Sequence, residues 1–367
     1  MATGALYKFI RPLLFWLPAE TSHSLTVATL RLLYRFPAAG TCLRFALLRR
    51  LPDLPISVMG LHFPNPVGLA AGLDKNGECI RPLADFGFGF IEIGTVTPRP
   101  QPGNPAPRMF RLANHAALIN RLGFNNVGVY RMITNLAKSG KAGLIGINIG
   151  KNRDTPLERA VDDYLSMLQA VYLHADYVTV NISSPNTTGL RDLQNEENLH
   201  ELLRALKAEQ AILAAKYGRY VPIAIKVAPD LDDDQARIIA VQVLEHKFDA
   251  VVATNTTITR PGLAHEPLAS QTGGLSGRPL KRLSTDIIRK LYSHLQGKAP
   301  IIGVGGIENA EDAWEKLVAG ADLIQLYTAL IYEGPCIVNK IVRGLAKYVS
   351  DSGCETLHQA VIRARKA

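Results

Sequence analysis

Apolar and polar positions along the chain alternate between two rhythms. Short apolar runs recur, each closed by turn residues and followed by a helical pattern. The runs are "VGLAAG" (67–72), "FIEIGT" (90–95), "LIGINIG" (144–150), "YVTVNIS" (177–183), "IAIKVA" (223–228), "AVVATNT" (250–256), "IIGVGG" (301–306) and "LIQLYTA" (323–329). Between them lie amphipathic stretches such as "PLERAVDDYLSMLQAVYLH", "NLHELLRALKAEQAILAAK", "DDDQARIIAVQVLEHK" and "NAEDAWEKLVAG". Eight such repeats predict a (β/α)8 barrel of the α/β class, with a closed parallel sheet and helices outside. The alternative, an open doubly wound sheet, rarely needs eight equivalent units.

Two insertions break the rhythm. "PDLPISVMGLHFPNP" (52–66) reads as a hairpin leading into the first strand, and residues 99–126 as a Pro- and Gly-rich excursion with two short strands. Long loops after barrel strands lie on the face where function accumulates. The pattern divides the chain into an N-terminal helical segment (1–50), the barrel (51–350) and a helical or frayed tail (351–367).

In the N-terminal segment, Leu6, Phe9, Ile10, Leu13, Leu14 and Leu17 share one helical face, with Pro12 making the first part irregular or marking a second turn. Leu25, Leu32, Leu33 and Phe36 form a second face. The longest apolar run, "PLLFWLPA", is far short of the roughly 20 residues that span a bilayer. Charge sharpens this picture. The chain has 41 Lys and Arg against 32 Asp and Glu, a net +9, and residues 1–50 hold seven basic residues against Glu20 alone. Two short amphipathic helices rich in Arg, Trp and Phe read as a segment lying in a membrane interface. The plain alternative is a helical hairpin that caps the barrel's own core. No aromatic-plus-basic strand or recognition helix points to nucleic acid. Cys42, Cys79, Cys336 and Cys354 lack paired or metal-ligand spacing, no histidine cluster suggests a metal, and the cysteines read as free thiols.

Almost every strand ends in chemistry: Asp74 and Lys75, Thr95, Asn148, Asn181, Lys226, Thr254 with Asn255 and Thr256, Gly305–Gly306, and Tyr327 with Thr328. Any one of them alone is more often a satisfied core polar group. Together they converge on one barrel mouth and suit a large, flat, polar ligand. "GGLSG" (273–277) and "GVGG" (303–306) read as loops whose backbone N–H groups cradle a phosphate. A phosphate on one side with asparagines and a lysine across the top suits flavin mononucleotide (FMN). Glu92 falls on the inward face beside Gly94, and a structural ion pair with an unnamed partner is expected there.

The motifs "NPVGLAAGLDKNGE", "IEIGTVTPRPQPGNPAPRMFRL", "LINRLGFNN", "GINIGKN", "VNISSPNT", "IKVAPD", "ATNTT", "TGGLSGRPL" and "IIGVGGI" resemble the class 2, quinone-linked dihydroorotate dehydrogenases over about residues 20 to 345. The resemblance implies an FMN barrel that oxidises dihydroorotate to orotate in pyrimidine biosynthesis. Electrons would pass to a membrane quinone through the N-terminal helices. It assigns substrate contacts to Lys75, Asn120, Arg121, Leu122, Gly123, Phe124, Asn181, Asn186, Asn255 and Thr256. It assigns FMN contacts to Ala71, Gly72, Lys75, Thr95, Asn148, Asn181, Lys226, Thr254, Gly277, Gly306, Tyr327 and Thr328.

The quinone contacts carried over are His23, Arg111 and Tyr327. Strict alternation puts Ser183 on the face of Asn181, whereas the family pattern assigns the base to Ser184; Ser184 is the expected base, because alternation fails once the strand turns at Pro185, and Thr187 with water under Phe124 is expected to relay the proton outward. A monomer on the cytoplasmic face of a bacterial inner membrane is expected. The rivals are a soluble FMN dehydrogenase with another acceptor, a phosphosugar isomerase or aldolase, and a lipid-surface phosphate-binding module.

Overall fold

The computed structural model describes residues 2–48, 51–140 and 142–366, with side chains from Tyr7 onward. Arg49, Arg50 and the side chain of Leu6 lie outside the described residues. Eight parallel strands close a barrel in sequence order: β1 (Val67–Leu69), β2 (Phe90–Val96), β3 (Leu144–Ile149), β4 (Tyr177–Asn181), β5 (Ile223–Val227), β6 (Ala250–Ala253), β7 (Ile301–Val304) and β8 (Leu323–Leu326). Seven of the eight strands fall inside the apolar runs, and β2 extends one residue past its run, to Val96. Each is buried on both faces, so the runs are continuous rather than alternating. Ile145, Ile147 and Ile149 face the helical shell, whereas Gly146 and Asn148 face inward. A Cβ at Gly146 would lie 2.2 Å from the Tyr177 ring, so glycine there makes room for that side chain.

Helices follow the strands and start on local signals. Asp232 and Gln235 form a reciprocal capping box at the start of the helix Asp233–Glu245. The hairpin Ile56–Val58/Leu61–Phe63 plugs the lower end of the barrel, where Phe63 packs against Phe90. The tail is a packed helix, Leu357–Lys366, rather than a frayed end. Leu357, Ala360 and Val361 are buried, and Arg365 donates to the carbonyls of Leu317 and Ala321.

The N-terminal segment holds three helices rather than two: α1 (Ala2–Trp16), α2 (Ala19–Leu33) and α3 (Pro37–Leu48). Helix α1 runs through Pro12 and ends before Pro18. Its last carbonyls are taken by side chains: Arg111 donates to Leu14 and Leu17, and Ser22 Oγ donates to Leu14. Tyr7 and Arg11 tie α1 to the carbonyls of Ile331 and Tyr332 beyond β8. Among the described residues no helix is long and apolar enough to cross a membrane.

Candidate active site

A polar cavity opens at the strand ends, as the spread of polar tips requires. Its walls include Ala71, Gly72, Lys75, Thr95, Asn120, Leu122, Gly123, Phe124, Asn181, Ser184, Asn186, Lys226, Thr254, Asn255, Thr256 and Tyr327. Asn148 lies just beneath, accepting from Thr95 Oγ1 at 2.6 Å and Asn181 Nδ2 at 3.2 Å. Burial pushes the Lys75 amine down to about 8, and its Nζ donates to the Gly72 carbonyl at 3.0 Å. Lys226 is buried, and burial lowers it too. Among the described residues its Nζ has no hydrogen-bond partner, so a buried donor faces the cavity unused.

Four expected positions differ. "GGLSG" is not a free loop: Gly274–Gly277 is a strand antiparallel to Ala117–Asn120, which also pairs with Met109–Leu112. Its glycines allow close approach, since a Cβ at Gly274 would lie 1.9 Å from Thr256 Oγ1. Gly277 and Thr328 stand at the edge, where Thr328 Oγ1 meets Ser276 Oγ at 2.8 Å. The Arg121 guanidinium turns away, to Gln271, Thr272 and the Pro107 carbonyl, because it ties the insertion after β2 to the loop after β6. Glu92 has no ion pair among the described residues. Hydrogen bonds from Asn148, Tyr177, Thr179 and Gln325 surround it instead.

Of the two serines, Ser183 lies on Asn181's side as alternation requires. There it is fully buried and bonded to Asn181 and Asn255. Ser184 faces the cavity, and its Oγ accepts the Asn186 N–H at 3.3 Å. Thr187 is buried behind this loop, and no hydrogen bond joins it to Ser184. Gly306 adopts φ +69°, and a Cβ there would lie 2.5 Å from Lys281 at the start of the helix Lys281–Leu295.

A second cavity, about 390 Å3, lies between α1, α2 and the barrel and is almost entirely apolar. His23 and Arg111 line it. Tyr327 lines both cavities, so it forms part of the wall between them. Burial pushes the Tyr327 hydroxyl up to about 12, and burial with the nearby Lys75 charge pushes His23 down to about 4. The Arg111 guanidinium stands 4.6 Å over the Phe15 ring.

Several contributors escaped the sequence reading. Arg191 ties the loops after β4 and β6 together through the carbonyls of Ser183 and Thr256 and through Asp230. Its only signal was its place just beyond "SSPNT". Arg108 pairs with Glu20, which no spacing could reveal. His200, Glu245 and His246 gather on the outer helices, with His246 Nε2 3.1 Å from His200 Nδ1. That group arises from helix packing and lines neither cavity.

These features define a barrel oxidoreductase site with a polar chamber backed by an apolar one. The dihydroorotate dehydrogenase family model matches residues 53–349. A quinone-type dihydroorotate dehydrogenase of Nitrosomonas europaea is 56% identical over 95% of this chain and 100% of its own length. One from Thiobacillus denitrificans is 55% identical over 93% of this chain and 100% of its own. The solved Eimeria tenella dihydroorotate dehydrogenase in complex with ferulenol has 39% identity and a TM-score of 0.81, covering 86% of this chain and 89% of that one. The chain belongs to the dihydroorotate dehydrogenase family, and both of these bacterial relatives are of the quinone type.

Proposed function

We propose that the polar cavity holds FMN and dihydroorotate side by side and that the apolar chamber admits a quinone ring. The chain oxidises dihydroorotate to orotate, a step of pyrimidine biosynthesis, with a quinone as acceptor. The observation that carries the two-chamber reading is Tyr327, which lines both the polar cavity and the apolar one.

The residues fit a flavin. Lys226 offers a buried ammonium with no protein partner, and Asn148, Asn181, Thr95 and Thr254 supply a ring of amide and hydroxyl groups. Ala71 and Gly72 leave a flat approach beside Tyr327, where a Cβ at Gly72 would come within 3.2 Å of the ring. Gly277, Gly306 and Thr328 line the side where the phosphate would sit, near the start of the short helix Thr328–Glu333. When bound, FMN supplies the hydride acceptor.

Lys75 is a compact point charge for the substrate carboxylate. Asn120, Asn186, Asn255 and Thr256 bond the ring amides, and the Asn186 Nδ2 to Asn120 Oδ1 contact at 3.3 Å orients the first pair. Leu122, Gly123 and Phe124 cover the substrate and exclude bulk solvent; Arg121 contributes backbone only. Ser184 Oγ removes the substrate's carbon-bound proton, and Thr187 with water under Phe124 carries it outward.

At the other chamber His23 and Arg111 hold the quinone oxygens. Helices α1 to α3 lie against a lipid surface. Phe9 and Trp16 are 77% and 83% exposed, and a groove of about 480 Å3 between α2, α3 and the barrel carries Arg31, Arg35, Arg44, Arg81 and Lys138 against Glu78 and Asp85. This fits a monomer on the cytoplasmic face of a bacterial inner membrane. Extraction of the flavin tests the cofactor: one FMN per chain is expected, and a colourless protein or a different flavin contradicts the reading.

A further inference from the structure

Among the described residues, Glu92 is the acidic group deep inside the barrel that the mechanism above leaves unused. It sits on β2 with no exposure. Asn148 Nδ2 donates to its Oε1 at 2.7 Å. Tyr177 OH, Thr179 Oγ1 and Gln325 Nε2 approach Oε2 at 2.9, 3.0 and 2.8 Å. The two amide nitrogens can only donate, one to each oxygen, so both oxygens serve as acceptors and the shell fits the ionised carboxylate. The demand is strong enough to strand a neighbour: Gln325 turns its nitrogen to Glu92, and its Oε1 is buried without a partner.

From Glu92 the asparagine amides run head to tail. Asn148 Oδ1 accepts from Asn181 Nδ2 at 3.2 Å, Asn181 Oδ1 from Asn255 Nδ2 at 3.2 Å, and Asn255 Oδ1 from the Thr256 N–H at 2.8 Å. Each amide points its nitrogen toward Glu92. A chain of hydrogen bonds in a low-dielectric interior polarises in one direction, and the group at its lower end is this carboxylate.

We propose that Glu92 is a positioning residue whose charge fixes the direction of the Asn148–Asn181–Asn255 ladder and thereby which amide faces meet cofactor and substrate. The proposal rests on the reading that this cavity holds FMN and orotate. Without the carboxylate, Asn148 gains nothing from pointing its nitrogen downward, and the amides above it can reverse. The same charge favours the protonated form of Lys226, opposing the burial that lowers it.

The test uses the flavin-loaded full chain, with orotate as the probe. Glu92→Gln keeps size and removes charge. Orotate should bind on the order of tenfold more weakly at wild-type flavin content. Adding Asn148→Asp then places a carboxylate one step up, with the atoms and net charge of the wild type. That carboxylate accepts from Thr95 and Asn181 in the original direction, and most of the orotate affinity should return. A merely structural role for Glu92 gives no such rescue.

Wild-type orotate affinity in Glu92→Gln, or a double variant weaker than the single one, overturns the ladder. If Glu92→Gln loses flavin or does not fold, recovery in the double variant supports the proposal and its absence overturns it. A wild-type chain without flavin overturns the proposed function and this inference together, whereas unchanged orotate binding in a flavin-replete Glu92→Gln overturns only the ladder.

Discussion

Arg108 grips the Glu20 carboxylate with Nε at 3.0 Å and NH2 at 2.6 Å, joining α2 to the insertion after β2 across 88 positions of sequence. Its remaining nitrogen holds the carbonyls of Pro102 and Asn104, and Asn104 in turn reaches the Arg121 carbonyl beside the substrate wall. The helical segment is thus fastened to the same loop that covers the substrate.

Glu20→Ala should therefore leave Arg108 half-satisfied and loosen α2, at a cost of about 1–2 kcal/mol. Thermal melting should fall by a few degrees, and KM for quinone should rise while flavin reduction by dihydroorotate holds. An unchanged quinone KM contradicts this. The hydrogen bond to Arg108 holds the Glu20 carboxyl below its ordinary value. Its contribution is thus complete above about 4.5 and is lost as pH falls through the lowered folded value.

Lys75 gives a pH signature on the alkaline side. Its amine is lowered to about 8, chiefly by burial. Only the protonated form attracts a carboxylate. Orotate affinity should be flat below that value and weaken roughly tenfold per unit well above it. A titration of orotate binding from pH 6 to 9.5 checks this. Affinity that stays flat throughout removes Lys75 from the carboxylate site.

His23 should be neutral across the physiological range, since burial brings it down to about 4. Nuclear magnetic resonance of the ring should show no titration between pH 6 and 8. A transition near the ordinary histidine value contradicts the apolar surroundings of His23. His23→Ala should raise quinone KM and leave dihydroorotate KM nearly unchanged.

Proton removal should depend on Ser184. Ser184→Ala is expected to slow flavin reduction on the order of a hundredfold or more, with orotate binding nearly intact. Thr187→Val should slow the same step and spare binding. Equal losses of rate and binding in Thr187→Val would remove the relay, a sharp question because no hydrogen bond joins the two hydroxyls.

Much of this architecture was legible because parallel barrel strands are buried on both faces. Burial leaves continuous apolar runs such as "IAIKVA" with one polar residue at the tip. The polar tips of Lys226, Asn181 and Asn255 were visible for the same reason. What stayed hidden depends on closure. Glu92 takes its partners from the adjacent β3, from β4 beyond it, and from β8, which comes within reach of β2 only when the barrel closes. Glycine-rich Gly274–Gly277 reads as a loop because its strand character comes from pairing with Ala117–Asn120, far away in sequence. Helix α3 was missed because its apolar residues show no clear stripe. Pro12 misled in the other direction, since it sits inside α1, where a proline normally costs stability.

The most direct measurement is an anaerobic absorbance titration of the purified protein with dihydroorotate, followed by a short-chain ubiquinone. The yellow flavin band should bleach with dihydroorotate and return with quinone. A band that bleaches but returns only with fumarate or a nicotinamide, or a protein that stays colourless with added FMN, contradicts a dihydroorotate site that feeds a quinone chamber through the wall at Tyr327.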